Sequence, residues 1–194
     1  SCIIYGYYNF GSPTVENIYN NNIYDLSVAG TNTGTSSLLN GMHTNTTSTA
    51  TKTIYGNNIY NFSALSGNVN GIAQFLGTNV QIYKNNIYNL SNATTVTTAA
   101  TMCGITINSG IVYAYNNFIS DLRTPLSASV DGIRGINITS TTSASTVGLY
   151  YNTIFLNASS TGANFGTTGI YHTYSATATT AALDMRNNII VTVI

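Results

Sequence analysis

The chain has 194 residues, enough for one domain with a sizeable core, and 43% of them are hydrophobic. Only 5% are charged, against about 25% in ordinary globular proteins, and five residues of each sign cancel to zero net charge. A surface without basic excess has no counterion-releasing patch for a nucleic-acid partner, and no run approaches the roughly 18 apolar residues of a spanning helix, so membrane insertion is not expected.

The chain opens on Ser-Cys-Ile-Ile-Tyr-Gly, with neither the basic region nor the cleavage site of a signal peptide, which reads as a mature or excised piece. Cys2 and Cys103 are far apart, with no Cys or His at metal-ligand spacing. Two buried thiols are expected, and neither a metal site nor a cofactor.

The next element is Ile-Tyr-Asn-Asn-Asn-Ile-Tyr-Asp-Leu (18 to 26), and it returns as Ile-Tyr-Gly-Asn-Asn-Ile-Tyr-Asn-Phe (54 to 62) and Ile-Tyr-Lys-Asn-Asn-Ile-Tyr-Asn-Leu (82 to 90). Taking the Asn of Asn-x-Ile as an anchor gives Asn21, Asn57, Asn85, Asn117, Asn152 and Asn187, spaced by 36, 28, 32, 35 and 35 residues. Ile23, Ile59, Ile87, Ile119, Ile154 and Ile189 follow two positions on. Tyr19, Tyr55, Tyr83, Tyr115, Tyr150 and then Met185 precede the anchors by two, and Tyr24, Tyr60, Tyr88, Ser120, Phe155 and Ile190 follow them by three.

Between anchors stand Gly41-Met42, Gly71-Ile72, Gly104-Ile105, Gly132-Ile133 and Gly169-Ile170, each opening a short run of apolar alternation. Runs rich in Ile, Tyr, Thr and Val, broken by Asn and Gly, predict several short strands per period and no helix. The Ser/Thr-rich stretches 44 to 53, 93 to 101, 139 to 146 and 173 to 180 vary in length and read as loops on one side of each coil. Such a period suits a propeller blade or a solenoid. In a solenoid, equivalent residues stack about 4.8 Å apart, so Asn can pass side-chain hydrogen bonds from coil to coil, and Asn also tolerates a left-handed turn. The column identities therefore predict an all-β solenoid of about six coils of 28 to 36 residues, one segment over 1–194, with the six Asn as a structural ladder.

The Gly-Ile element followed by Ile-Tyr-x-Asn-Asn-Ile-Tyr-Asn-Leu resembles the right-handed parallel β-helix repeat family. More narrowly, the Asn/Thr/Tyr-rich composition and the segment from Tyr150 through Asn152, Phe155 and Asn164 to Gly166 look like long secreted repeat proteins of Bacteroidota and Ignavibacteria. That resemblance implies a right-handed helix and type IX secretion cargo, extracellular or at the cell surface. It implies no single activity, because the repeat occurs in lyases, adhesins and phage spikes.

Catalysis on a polysaccharide needs paired carboxylates, or an acidic cluster with a base. The acids are Glu16, Asp25, Asp121, Asp131 and Asp184. Asp25 and Asp121 share a column four after the anchor, three coils and so about 14 Å apart, beyond the roughly 5 to 9.5 Å of a working pair. With Asn61 and Asn89 between them, they read as a polar ladder. Asp131 and Arg134 bracket a Gly-Ile turn as a local ion pair, His43 and His172 are too far apart to share a metal, and no Ser stands in a nucleophile elbow. No catalytic or metal residue is assigned. Tyr19, Tyr55, Tyr83, Tyr115 and Tyr150 are candidates for a carbohydrate-binding strip if they face outward. The sequons at Asn45, Asn61, Asn89, Asn92, Asn137 and Asn157 occur at chance frequency, and the Thr-x-Thr pairs do not recur in register, so neither glycosylation nor an ice-binding face is read from them.

The expectation is a non-enzymatic structural or adhesive segment of a secreted or cell-surface protein, self-associating end to end because Ile189 to Ile194 forms an uncapped apolar strand. The alternative is a carbohydrate-binding or polysaccharide-degrading β-helix with a glycan partner.

Overall fold

In a computed structural model, residues 2–30, 37–46, 49–95, 97, 100–140, 145–173 and 182–194 are described. They form strands and no helix, arranged as three parallel sheets stacked in a β-solenoid. The first sheet takes Ile3–Asn9, Leu38–Asn45, Asn68–Phe75, Met102–Ile107, Ile133–Ile138 and Thr167–His172. The second takes Val15–Tyr19, Thr51–Tyr55, Asn79–Tyr83, Ile111–Tyr115, Thr146–Tyr150 and Ala182–Arg186. The third takes Asn22–Tyr24 with Ser27–Val28, then Asn58–Ala64, Asn86–Asn92, Phe118–Ser120 with Leu122–Arg123, Thr153–Asn157 and Ile189–Val193. Each sheet has six levels, so the chain makes about five full turns between the first and the last, close to the six coils expected.

Alternation along these strands sends one face inward. Ile18, Ile54, Ile82, Ala114, Leu149 and Met185 are register partners along the second sheet. Ile23, Ile59, Ile87, Ile119, Ile154 and Ile190 do the same in the third. From the second level to the fifth these columns are almost wholly shielded from solvent. A fully buried Ile contributes about 1.5–3 kcal/mol, so columns of this length supply much of the fold's driving force.

Opposite the Ile column lies a column of glycine: Gly6, Gly41, Gly71, Gly104, Gly135 and Gly169. A Cβ on Gly104 would stand 2.6 Å from the Gly135 carbonyl oxygen and 2.6 Å from Ile119 Cγ2. The first and third sheets therefore approach too closely there for any side chain. Gly135-Ile136, and not Gly132-Ile133, is the fifth member of this series, since Ile105 pairs with Ile136 while Ile133 pairs with Met102. Two Gly-Ile dipeptides lie three residues apart, and only the first–third sheet contact selects between them. Gly132 lies just before the strand, and Ile133 is an inward strand residue rather than part of a turn.

The variable stretches occupy two corners rather than one. Of these stretches, the described residues 46, 49–50, 139–140 and 145 lie between the first and second sheets, and 93–95, 97 and 100–101 lie between the third sheet and the next level. The stretch 173 to 180 also follows the first sheet, and from 174 it lies outside the described residues. The corner between the second and third sheets is held at two residues on every level, so length variation is confined to the other two.

Candidate functional site

At that tight corner the residue before the anchor carries the left-handed backbone. Asn20, Gly56, Lys84, Asn116, Tyr151 and Asn187 have φ of 54° to 64°. The anchor itself turns its amide into the interior, where Asn57, Asn85, Asn117 and Asn152 are buried. Asn117 Nδ2 donates to Ile82 O at 2.8 Å and to Asn152 Oδ1 at 2.9 Å, while Asn117 Oδ1 accepts from Asn85 N at 3.1 Å and Asn85 Nδ2 at 3.0 Å. The pattern repeats from Asn21 upward.

At the last level the ladder member is Asn188, not Asn187. Asn152 N and Nδ2 both donate to Asn188 Oδ1 at 3.0 Å, and Asn188 Nδ2 reaches Leu149 O at 2.8 Å. Asn187 holds the left-handed position instead. In Asn187-Asn188-Ile189-Ile190 the Asn-x-Ile pattern fits at Asn187, but strand pairing places Ile190 opposite Ile154. The same shift by one puts Arg186, not Met185, in the tyrosine column, and Val191 opposite Phe155.

Tyr19, Tyr55, Tyr83, Tyr115 and Tyr150 end the strands of the second sheet and face outward. The first four stack with centroids 5.0, 4.9 and 4.8 Å apart and planes within 10°. Tyr24, Tyr60 and Tyr88 form a second stack, at 5.2 and 5.1 Å. Tyr150 leaves the ladder: its ring lies beside Tyr113 at 6.4 Å, its hydroxyl donates to Asp184 at 3.1 Å, and Arg186 sits 5.9 Å from its centroid. In such a stack each inner ring covers its neighbours' faces. Tyr55 and Tyr83 thus present edges and hydroxyls, whereas a pyranose stacks on a free aromatic face.

The acids are dispersed. Asp25, Asn61, Asn89 and Asp121 form the expected column, all with φ of 49° to 58°, and Asn89 donates to Asn61. The fifth level lacks this bulge, and Leu156 turns inward there. Asp121 pairs with Arg123 at 3.2 Å, and Asp184 with Arg186 at 2.6 Å in the open. The Arg186 guanidinium holds the Asp184 carboxyl below its ordinary range. Asp131 accepts from Arg134 Nε at 2.8 Å and from Thr168 Oγ1 at 2.7 Å, while Arg134 also donates to Asn137 Oδ1 at 2.9 Å and lies 3.4 Å over the Tyr171 ring. His43 belongs to the second level and His172 to the sixth.

Cys103 is buried as expected, and burial pushes its thiol up to about 11; Cys2, expected to be buried as well, is exposed just before the first strand. The two lie on the first and fourth levels of the first sheet, too far apart to bond.

Two groupings escaped the sequence reading. Glu16 and Lys52 are register partners on the inward face, in a column that continues as Val80, Val112, Val147 and Leu183. Lys52 is 0% exposed, and its Nζ donates to Thr44 O at 3.3 Å, Thr44 Oγ1 at 2.9 Å and Phe75 O at 2.5 Å. Burial lowers it to about 8. Glu16 Oε1 accepts from Tyr7 and Asn9, both at 2.8 Å, and its Oε2 has no hydrogen-bond partner among the described residues. Parity gave the signal: in Thr-Lys-Thr-Ile-Tyr, Lys52 shares the face of Ile54.

The second grouping is a hydrogen-bonded row on the outside of the first sheet. Asn40 Nδ2 lies 3.0 Å from His43 Nδ1, Asn70 Nδ2 donates to Asn40 Oδ1 at 2.8 Å, Thr106 Oγ1 donates to Asn70 Oδ1 at 2.7 Å, and Asn137 follows. Beside it Tyr5, Tyr8, Phe10, His43 and Phe75 cluster. Burial, with the nearby Lys52 charge, lowers the His43 imidazole from its ordinary value. These residues come from separate levels and follow no motif.

Comparison with protein-family models, with curated proteins and with solved structures returned no match.

Proposed function

We propose that the chain is a non-enzymatic structural or adhesive segment of a secreted or cell-surface protein, extended by end-to-end stacking of like solenoids. The observation that supports this reading most is the polarity of the Asn ladder. Every rung donates to the level above, so Asn188 N–H points to where a next rung would stand, and Asn21 Oδ1 accepts from no described residue. The first level of a second copy would bring its Asn21 Oδ1 over Asn188, its Ile23 over Ile190 and its Tyr19 over Arg186. Polar side chains committed to neighbouring levels, and Arg123, Arg134 and Arg186 each held by an adjacent acid, also favour a scaffold over a reaction centre.

Negative-stain imaging with sedimentation of the 194-residue chain tests this. Linear rods with a constant width are expected, shortened to single particles by Ile190→Asp with Val193→Lys at the last level. A monodisperse monomer at high concentration would overturn the stacking, and depolymerisation of a polysaccharide by the purified chain would overturn the non-enzymatic reading.

A further inference from the structure

We propose that the outer face of the first sheet binds a neutral glycan, with the open face of Phe10, backed by Tyr8, as the stacking platform and His43, Asn70 and Thr106 as the polar contacts. This site is separate from the tyrosine ladders. Phe10 is 68% exposed and stacks on Tyr8 at 6.2 Å with no ring against its other face among the described residues, whereas the inner ladder rings are covered on both faces. Tyr5 backs Tyr8 at 4.5 Å, and Phe75 backs His43 at 4.9 Å, so the exposed rings stand on a packed base and lose little freedom on binding.

Along the axis, His43 is followed in its column by Ala73, Thr106, Asn137 and Tyr171. The neighbouring column, Asn40, Asn70, Cys103 and Arg134, borders a shallow cleft lined by Asn68, Asn70, Cys103, Thr106 and Asn137. Asn40 is buried and orients the outer amides rather than touching a ligand. From the aromatic cluster to Asn137 the track spans about four level spacings, or about 19 Å, enough for a short oligosaccharide lying parallel to the solenoid axis.

The chemistry selects a neutral sugar. Asn70 and Thr106 both donate and accept, as sugar hydroxyls do. Beside the track, Arg134 is already engaged by Asp131, Asn137 and the Tyr171 ring, and Lys52, whose charge reaches His43, is buried and bonded to Thr44 and Phe75 O, so among the described residues an acidic glycan would find no free countercharge there.

Calorimetric titration of the intact chain with cellohexaose, xylohexaose, mannohexaose and maltohexaose, and with hexagalacturonate as the anionic comparison, tests the proposal. At least one neutral hexasaccharide should bind, with an affinity unchanged by added salt. Phe10→Ala with Tyr8→Ala should weaken it by about tenfold or more, and Thr106→Val, nearly isosteric, should weaken it as well. Tyr83→Ala, in the ladder, should leave it unchanged. Circular dichroism of each variant checks that the sheets remain. Failure of all four neutral sugars to bind, preference for hexagalacturonate with salt-sensitive affinity, or loss on Tyr83→Ala but not on the Phe10 and Tyr8 changes would each overturn it.

Discussion

Replacing Asn117 by Ala should be far more damaging than the same change at Asn21. Truncation at Asn117 removes the donor to Ile82 O and the acceptor of Asn85 N, both inside the solenoid. Each buried group left without its partner costs about 1–3 kcal/mol, so a loss of about 2–6 kcal/mol is expected. Asn21 makes the same kinds of bond, to Tyr19 O and Asn57 Oδ1, but its side chain is solvent-exposed and water replaces what is lost. Under about 1 kcal/mol is expected there. Asn117→Asp preserves shape but loses both donated bonds and faces the Asn152 oxygen with a charge, so it should be at least as harmful as Ala. Urea unfolding followed by far-ultraviolet dichroism, with tyrosine fluorescence as a second probe because stacked coils need not unfold in one step, measures all three. Equal losses at Asn21 and Asn117, or tolerance of Asn117→Asp, would refute the ladder as a source of stability.

Lys52 makes stability depend on alkaline pH. Below about pH 8 the folded chain holds a buried ammonium; between about 8 and the unfolded value near 10.4 it has released a proton that the unfolded chain retains, so stability should rise with pH by at most roughly 3 kcal/mol. Lys52→Met should flatten that rise in chemical-denaturation series across this range. Tyr7, pushed up to about 12 by burial and by its bond to Glu16, works the other way: its contribution is present below about pH 10 and is lost as pH climbs to 12. Gly104→Ala should destabilise by about 1–3 kcal/mol or more, because a Cβ meets Gly135 O and Ile119 Cγ2. Gly30→Ala, whose nearest neighbour would be Ser66 Oγ at 3.6 Å, should stay within about 0.5 kcal/mol in the same thermal-melt comparison.

Column identity alone determined the solenoid and, at five of the six levels, both the ladder rung and the Ile two positions after it, because a parallel stack makes each residue the neighbour of its own equivalent. Parity would also have placed Lys52 and Glu16 inside. Tertiary structure decided where the local pattern was degenerate. Asn187 and Asn188 both precede an Ile, and Gly132 and Gly135 both open a Gly-Ile pair; strand pairing to Ile154 and the close approach to Ile154 across the interior chose Asn188 and Gly135. It also decided which aromatic faces are open. A column of tyrosines in sequence does not say whether the rings lie flat against solvent or against each other, and at a level spacing near 4.8 Å their stacking on one another covers the faces that a ligand would need.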